Sequence, residues 1–217
     1  MANQFIYGRN PVAEAERGRR RVHRVWRAPE TSAEELERLC GSPDHQGVVA
    51  EVEPYPYGDS GAMLRRPGTL LVALDQVQDP RNLGAVCRSA EFAGAAGLVI
   101  PERRSAAVTP VVCKTSAGAV EHLEVAHVRN LADWLAEAKD AGFWIWGADA
   151  EADATPWSVD LTGSTILVLG GEGKGLRPRV AAACDGLVAL PGRGRVESLN
   201  VSAAATALLF EALRQRT

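Results

Sequence analysis

Residues 69–94 of the chain read TLLVALDQVQDPRNLGAVCRSAEFAG, and they carry its clearest structural signal. Residues 69–75 form a continuous apolar run that ends in the carboxylate of Asp75, which is typical of a β-strand buried on both faces. A tight turn follows, and residues 81–94 have the apolar periodicity of an α-helix. The segment therefore predicts one strand–turn–helix unit of a parallel sheet.

The alternation of strands and helices continues to the end of the chain. Because strands that alternate with helices form parallel sheets covered on both faces, the predicted fold class is α/β with a mostly parallel sheet. In such sheets ligands bind beyond the carboxyl ends of the strands. Further strands are predicted at 97–101, 123–128, 143–149, 164–170 and 186–191, and helices at 109–118, 130–141, 176–183 and 199–215.

The first part of the chain indicates a separate, small α/β unit. Helix starts are predicted at Asn10, which precedes Pro11, and at Ser32, which forms a capping box with Glu35. Segment 54–68 carries three prolines and three glycines, as a linker would. The predicted regions are the small unit 1–53, with strands at 22–28 and 47–53, the linker 54–68 and the main domain 69–217.

Composition excludes several classes of protein. Of the 217 residues 46% are hydrophobic and 24% charged, which is the composition of a folded protein. No apolar run approaches the roughly 18 residues of a membrane span, and the N-terminus lacks the apolar core of a secretory signal. The four cysteines are far apart, which argues against a zinc site and a disulfide framework and favours the cytoplasm.

Charge alone does not predict a nucleic-acid partner, because the formal net charge is −3. Phosphate contacts need only a local basic patch, however, and 24 basic residues include only three lysines. Arginine suits bidentate phosphate binding and stacking on bases, although arginines on solvated faces are equally compatible with the pattern. The densest cluster contains the candidate RNA-binding residues Arg19, Arg20, Arg21 and Arg24.

Three segments at predicted carboxyl ends of strands are candidates for chemistry. In the first, 75–90, Asn82 lies near a helix start and Arg88 follows six residues later, so the two need not share a helical face. The alternative interpretation of this segment is a helix cap and a surface arginine.

The second segment, LGGEGKGL (169–176), has four glycines in six residues directly after a predicted strand. Such a backbone must turn sharply or approach a ligand, although a plain strand-to-helix connection remains an alternative. Lys174 is followed by Gly175 rather than Ser or Thr, so the segment is not a Walker A motif, and it also fails the dinucleotide fingerprint.

The third segment, LPGRGRVESLNVS (190–202), is a glycine- and arginine-rich loop that leads into an alanine-rich helix. Ser198 or Asn200 fits the helix cap, and the small residues that follow permit close packing. A capped core helix without further function is the alternative interpretation.

Together the three segments resemble the three motifs of the SpoU/TrmH branch of the SPOUT methyltransferases. The matching text is DPRNLGAVCRSAEFAG, then VLGGEGKGL, then LPGRGRVESLNVSAAATALLFEALR, within residues 69–215. IYGRNPVAEA and HQGVVAEVEPYPY resemble the L30e-like substrate-binding extension of the RlmB-like branch, here shortened. Enzymes of that branch methylate a guanosine ribose in 23S rRNA. Methionine usually follows the proline of the third motif, where this chain has Gly192.

The resemblance implies a C-terminal deep trefoil knot, a homodimer with the last helix in its interface, and a bent S-adenosylmethionine held in the knot without a metal. By matching position, the cofactor would be bound by Gly170, Gly171, Gly175, Leu190 and Leu199. The reacting end would contain Arg88, Asn82, Glu172, Ser198 and Asn200, with catalytic groups approaching across the dimer interface.

The implied reaction is attack of a ribose 2'-hydroxyl on the methyl group of the sulfonium donor. Arg88 is a cation at neutral pH, so its expected role is to hold a phosphate and stabilise negative charge on the 2'-oxygen. Positioning two substrates contributes about 7 kcal/mol to such a reaction. Methylation of tRNA or another rRNA site, a non-catalytic RNA-binding protein of the same fold, and a dinucleotide-dependent oxidoreductase are the alternatives.

Overall fold

The computed structural model of the protein describes residues 3–171 and 175–217. Residues 3–52 contain a three-stranded antiparallel sheet with strand order β1-β3-β2 and two helices. The Ser32 side chain accepts a hydrogen bond from the backbone N–H of Glu35, as the capping pattern predicts. The sequence pattern does not predict β1. The elements of this N-terminal unit are β1 (Gln4–Tyr7), α1 (Arg9–Arg17), β2 (Val22–Arg27), α2 (Ala33–Cys40) and β3 (Val48–Val52).

Residues 54–68, predicted as a linker, are folded against the main domain. They contain helix α3 (Ser60–Leu64), whose start is capped by the side chain of Asp59. Met63 is fully buried, and Tyr55 is nearly so. Buried apolar side chains therefore anchor this proline- and glycine-rich segment to the main domain. Its composition alone does not indicate this packing.

The main domain contains a six-stranded sheet with strand order β6-β5-β4-β8-β7-β9, and all of its strand pairs are parallel. The predicted α/β class is thus confirmed. Its strands are β4 (Leu70–Asp75), β5 (Gly97–Pro101), β6 (Val125–Val128), β7 (Trp144–Ala148), β8 (Thr165–Gly170) and β9 (Gly186–Val188). Its helices are α4 (Pro80–Phe92), α5 (Pro110–Thr115), α6 (Leu131–Asp140), α7 (Pro178–Ala183) and α8 (Val201–Arg216).

Helices cover both faces of this sheet. Alternate residues of the central strand β4 point to opposite sides and pack against different helices. Val72 and Leu74 belong to one apolar cluster, together with residues of α4, α5 and α8. Leu71 and Ala73 belong to the other, together with residues of α6 and α7. Burying one large aliphatic side chain contributes roughly 1.5–3 kcal/mol, so the two faces together hold β4 rigidly.

Two features of this sheet position the site. β4 and β8 are neighbours, with Asp75 opposite Gly170 at their carboxyl ends. The first and second sequence segments therefore start side by side. Among the described residues, no helix is both long and apolar enough to cross a membrane.

Candidate active site

A buried ion pair joins the carboxyl end of β4 to the start of α7. Asp75 has a fully buried side chain and accepts hydrogen bonds from the backbone N–H of Arg177 at 2.9 Å and from its Nε at 2.8 Å. A second guanidinium nitrogen lies 2.7 Å from Asp75. Because Arg177 directly precedes α7, this pair fixes where the chain after the glycine-rich segment re-enters regular structure.

The glycines of the second segment are needed for close backbone approach. A Cβ atom on Gly170 would collide with the backbone of Gly175, and one on Gly171 would lie 2.6 Å from the carbonyl oxygen of Gln76. Gly171 and Gly175 form an isolated antiparallel bridge, and Gly175 has a φ of +59°, which favours glycine. The two ends of the segment, Gly171 and Gly175, therefore lie together, and Gly171 packs against the residue that follows β4.

The first and third segments meet through two asparagine side chains. Nδ2 of Asn200 donates a hydrogen bond of 3.1 Å to Oδ1 of Asn82. Asn82 is buried in the first turn of α4, which begins at Pro80, slightly before the predicted start. Asn200 caps α8 by accepting a hydrogen bond of 2.9 Å from the backbone N–H of Ser202. Of the two residues that the sequence offers for this cap, Ser198 and Asn200, the structure has Asn200, whose side chain also contacts Asn82.

A cavity of about 600 Å³ lies at the junction of these elements. Its walls come from the turn after β4, the first turn of α4, the two ends of the glycine-rich turn and the start of α7. Small-molecule sites typically have about 300–1,000 Å³, so the cavity has the size of a cofactor or substrate site. It is lined by Gln76, Val77, Gln78, Asp79, Asn82, Gly171, Gly175, Leu176, Arg177 and Pro178.

The predicted site residues divide into two groups in this structure. Asn82, Gly171 and Gly175 line the cavity, Asn200 contacts Asn82, and Gly170 lies directly beneath at the end of β8. Glu172 lies outside the described residues. The other predicted residues do not line the cavity: Arg88 is exposed further along α4, Ser198 and Leu199 are exposed on the loop before α8, and Leu190 packs against the apolar core.

Two further residues at this site are not identified by the sequence patterns. Gln76 adopts a φ of +61° at the end of β4, and Arg177 pairs with Asp75. The position of Asp75 at the end of a buried strand signals that a cationic partner is needed, but the sequence does not say which arginine supplies it.

The predicted RNA-binding arginines differ in their availability. Arg20 is 5% exposed and ion-paired with buried Glu121, so the expectation that it binds RNA is corrected: its guanidinium is already used inside the protein. Arg19 donates to the carbonyl oxygen of Leu123 at 2.6 Å. Arg21 is exposed, and Arg24 lies 4.9 Å from the ring centroid of Trp26.

Thiol chemistry is not favoured at this site. Burial raises the pKa of Cys184 to about 12 and also raises the pKa of Cys40, Cys87 and Cys113. Since the thiolate is the nucleophilic form, these cysteines are poor candidates for a covalent intermediate. Within the described part of the chain, no group of three or more metal-ligating side chains is suitably arranged for a metal ion.

A parallel α/β sheet with a cavity at the carboxyl ends of its central strands, lined by backbone, amide groups and a fixed arginine, defines an α/β enzyme with a small-molecule site at that edge. Comparisons with known proteins identify the family. A profile described as the SpoU rRNA Methylase family matches residues 69–210, and one described as RNA 2'-O ribose methyltransferase substrate binding matches residues 27–58. The chain belongs to the SpoU/TrmH family and is a methyltransferase.

Individual relatives agree with this assignment. The chain is 36% identical over 240 residues to the putative TrmH family tRNA/rRNA methyltransferase YacO of Bacillus subtilis, covering 99% of this chain and 96% of that protein. The crystal structure of the SpoU methyltransferase AviRb from Streptomyces viridochromogenes, in complex with AdoMet, matches with a TM-score of 0.82 and 29% identity over 99% of this chain and 91% of that chain. A crystal structure of an RNA 2'-O ribose methyltransferase matches with a TM-score of 0.81 and 26% identity over 99% and 89%.

Proposed function

We propose that the protein transfers a methyl group from S-adenosylmethionine to a ribose 2'-hydroxyl of RNA, with a guanosine of 23S rRNA as its target. The observation that carries this proposal is the hydrogen bond between Asn82 and Asn200, near the paired glycines Gly171 and Gly175. Three segments far apart in sequence thereby meet at the carboxyl ends of β4 and β8, where a two-substrate site is expected.

The residues present fit S-adenosylmethionine. Gly171 and Gly175 line the cavity without side chains, which suits a donor recognised through backbone N–H and C=O groups, and the cavity volume is sufficient for a nucleoside-sized ligand. Gly170, Gly171, Gly175, Leu190 and Leu199 are the proposed cofactor-binding residues. When bound, the sulfonium supplies an electrophilic methyl group that needs no metal.

The residues of this chain then orient and stabilise the acceptor. The 2'-oxygen forms a bond to the methyl carbon as the sulfur–methyl bond breaks, and the hydroxyl proton leaves to water. Asn82 and Asn200, together with Glu172 and Ser198, are proposed to position the ribose. Arg88 is proposed to hold the neighbouring phosphate and to stabilise the developing charge on oxygen as a cation rather than as a base.

A homodimer explains why Arg88 is exposed rather than in its own cavity. Phe92 lies one helical turn after Arg88 and is 72% exposed. Its ring stacks on that of Phe210 of α8, with a centroid distance of 5.8 Å. Contiguous exposed apolar surface is characteristic of interaction sites, so we propose that α4 and α8 dimerise through this pair and that Arg88 reaches the partner subunit's cavity.

The remaining architecture follows the same proposal. Residues 1–53 form the RNA-binding extension, with Arg19, Arg21 and Arg24 as contacts, joined by 54–68 to the catalytic domain 69–217. The chain after β9, at the far edge of the sheet, returns to Asn200 beside α4, which supports a C-terminal trefoil knot. The enzyme is proposed to act in the cytoplasm.

The test combines calorimetry with mapping of ribose methylation. Wild-type protein is incubated with S-adenosylmethionine and with 23S rRNA or tRNA from a strain that lacks the gene, and 2'-O-methyl groups are located by mass spectrometry. We expect one new methylated guanosine in 23S rRNA, its loss in Arg88→Ala, and its retention in the exposed control Arg65→Ala. Methylation of tRNA alone contradicts the target, and absence of S-adenosylmethionine binding contradicts the enzyme.

A further inference from the structure

Unpaired arginines line one half of the carboxyl edge of the large sheet. Arg129 follows β6, Arg103 and Arg104 follow β5, and Arg81 lies in the first turn of α4 after β4. All four are exposed. Within residues 3–171 and 175–217, none of their side chains forms a hydrogen bond or ion pair. We call these four residues the arginine rim; it runs from the sheet's outer strand to the cavity.

On the other half of the same edge, the segment that follows β7 is acidic. The segment after β7 carries Asp149, Glu151 and Asp153 and no basic residue between positions 148 and 157. Because β8 and β4 are central in the strand order, the arginine rim and this acidic segment lie on opposite sides of the cavity. Exposed charges are screened beyond about 8 Å at physiological salt, so this local pattern matters more to a polyanion than the net charge of −3.

Three basic residues at the opposite edge, where the strands begin, are already paired with other groups. Arg66 pairs with Glu124 at 2.9 Å, Lys139 pairs with Asp185 at 2.9 Å, and Arg216 donates to the carbonyl oxygen of Gly68 at 3.0 Å. These three basic residues therefore differ from the arginine rim, whose side chains are unpaired among the described residues.

Arg19 of the N-terminal cluster lies away from the carboxyl edge of the large sheet within one chain. Arg19 contacts the carbonyl oxygen of Leu123, five residues before the end of β6 at Val128. At about 3.3 Å per residue this corresponds to roughly 16 Å from the carboxyl edge. The arginine rim lies at the carboxyl edge itself, so within one subunit it is better placed than Arg19 to bind phosphates near the reacting ribose.

The backbone of the rim supports a functional role. Arg104 has a φ of +60°, a conformation that non-glycine residues rarely adopt. Such conformations cluster at binding sites, where the surrounding structure maintains them. Here the following residues are fixed, since Ala106 N–H donates to Val77 and Val108 N–H donates to the Tyr57 hydroxyl, each within 2.9 Å.

We propose that the substrate RNA backbone crosses the β6-β5-β4 half of the carboxyl edge, with consecutive phosphates bound by the arginine rim, and is kept off the β7 side by its acidic segment. This inference rests on the proposed RNA methylation and adds the direction from which the strand reaches the cavity. The rim residues position the RNA; they take no part in methyl transfer.

The test compares two pairs of arginines, each pair consecutive in sequence, at opposite edges of the sheet. Arg103→Gln/Arg104→Gln removes charge from the rim, and Arg65→Gln/Arg66→Gln removes the same charge at the opposite edge. Affinity for deproteinised 23S rRNA fragments is measured against salt concentration, together with kcat and KM for methylation. We expect the rim variant to bind about tenfold more weakly, with a slope of log affinity against log salt reduced by about 1.4–1.8. KM should rise while kcat stays within about twofold.

Two further variants sharpen the result. Arg103→Lys/Arg104→Lys should recover most of the affinity, because phosphate binding needs charge, and Asp149→Asn/Glu151→Gln/Asp153→Asn should not weaken binding. Equal affinity and salt slope in the rim variant and its control would overturn the proposed path, as would weakened binding in the neutralised acidic variant. If wild-type protein methylates no RNA, the proposed function fails together with the path; if it does and the two pairs behave alike, only the path fails.

Discussion

The side chain of Asn200 joins the start of α8 to the first turn of α4 by donating to Oδ1 of Asn82 at 3.1 Å. Asn200 thereby has two separable tasks, since its own Oδ1 accepts from Ser202 to cap α8. One task concerns stability, and the other concerns the geometry of the cavity.

Substitution of Asn200 should separate these tasks. Asn200→Asp keeps a side-chain acceptor for the cap but loses the donor to Asn82, so unfolding free energy should change by less than about 0.5 kcal/mol while methyl transfer falls at least tenfold. Asn200→Ala should lose activity and also about 1 kcal/mol of stability. Urea denaturation and single-turnover methylation measure the two effects. Full activity in Asn200→Asp would show that the amide contact is dispensable.

Breaking the ion pair of Asp75 and Arg177 should be costly. Arg177→Met leaves a fully buried carboxylate without its guanidinium, and we expect a loss of about 3 kcal/mol in unfolding free energy together with lost activity. The neighbouring Arg179, which pairs with Asp133 on the surface at 3.3 Å, provides the control; Arg179→Met should cost less than about 1 kcal/mol. Adding Asp75→Asn to Arg177→Met should restore part of the loss, and a strictly additive double variant would contradict the coupling.

Charging the exposed aromatic pair should dissociate the proposed dimer. Phe92→Lys places a cation on the α4 and α8 face, and sedimentation velocity should then show a monomer with little methyl transfer. Trp144 is similarly exposed, at 60%, but lies at the start of β7, so Trp144→Lys is the matched control and should remain dimeric. A monomeric wild type, or a dimeric Phe92→Lys, is incompatible with the proposed interface.

Mixing inactive subunits tests whether Arg88 acts across that interface. Arg88→Ala and Asn82→Ala homodimers should each be nearly inactive. In a mixed dimer, one cavity would combine an intact Asn82 with the partner's intact arginine, so about a quarter of wild-type activity is expected after random exchange. If subunit exchange is confirmed by light scattering and no activity returns, Arg88 serves its own subunit.

His127 should make stability depend on pH. Burial beside Tyr57, whose ring lies 4.0 Å away, lowers the pKa of His127 from its ordinary value of 6.5. The unfolded chain therefore binds a proton more readily, so stability is full above about pH 6.5 and falls as the pH drops below it. His127→Phe should flatten this slope in urea denaturation series, whereas the exposed control His23→Phe should not. An unchanged slope in His127→Phe would exclude this residue as its source.

Most strands of the main domain are predictable because parallel strands buried on both faces produce continuous apolar runs. The sequence predicts a strand at 164–170, and the structure has β8 at Thr165–Gly170. The sequence does not predict β1, because this strand has only four residues and its pairing partner β3 lies more than 40 positions away. Strand order likewise depends on packing between distant segments, which local periodicity does not encode.

The site is predictable only where local residue types constrain it. The glycine turn signals close backbone approach, and Asn200 signals a cap, but their proximity to Asn82 follows from family resemblance rather than from spacing. Arg20 shows the limit most clearly: its neighbours in sequence are arginines, yet its partner Glu121 is 101 residues away. Only the folded chain distinguishes it from the exposed Arg21.

That buried contact has a consequence for protein engineering. The guanidinium belongs to the small N-terminal unit and the carboxylate to the large domain, and each would be a lone charge in an apolar setting without the other. The N-terminal unit of this protein therefore cannot be exchanged freely for that of another protein. A chimaera is expected to fold stably only if the grafted unit and the recipient domain together supply both Arg20 and Glu121, or if both are replaced with matching apolar side chains.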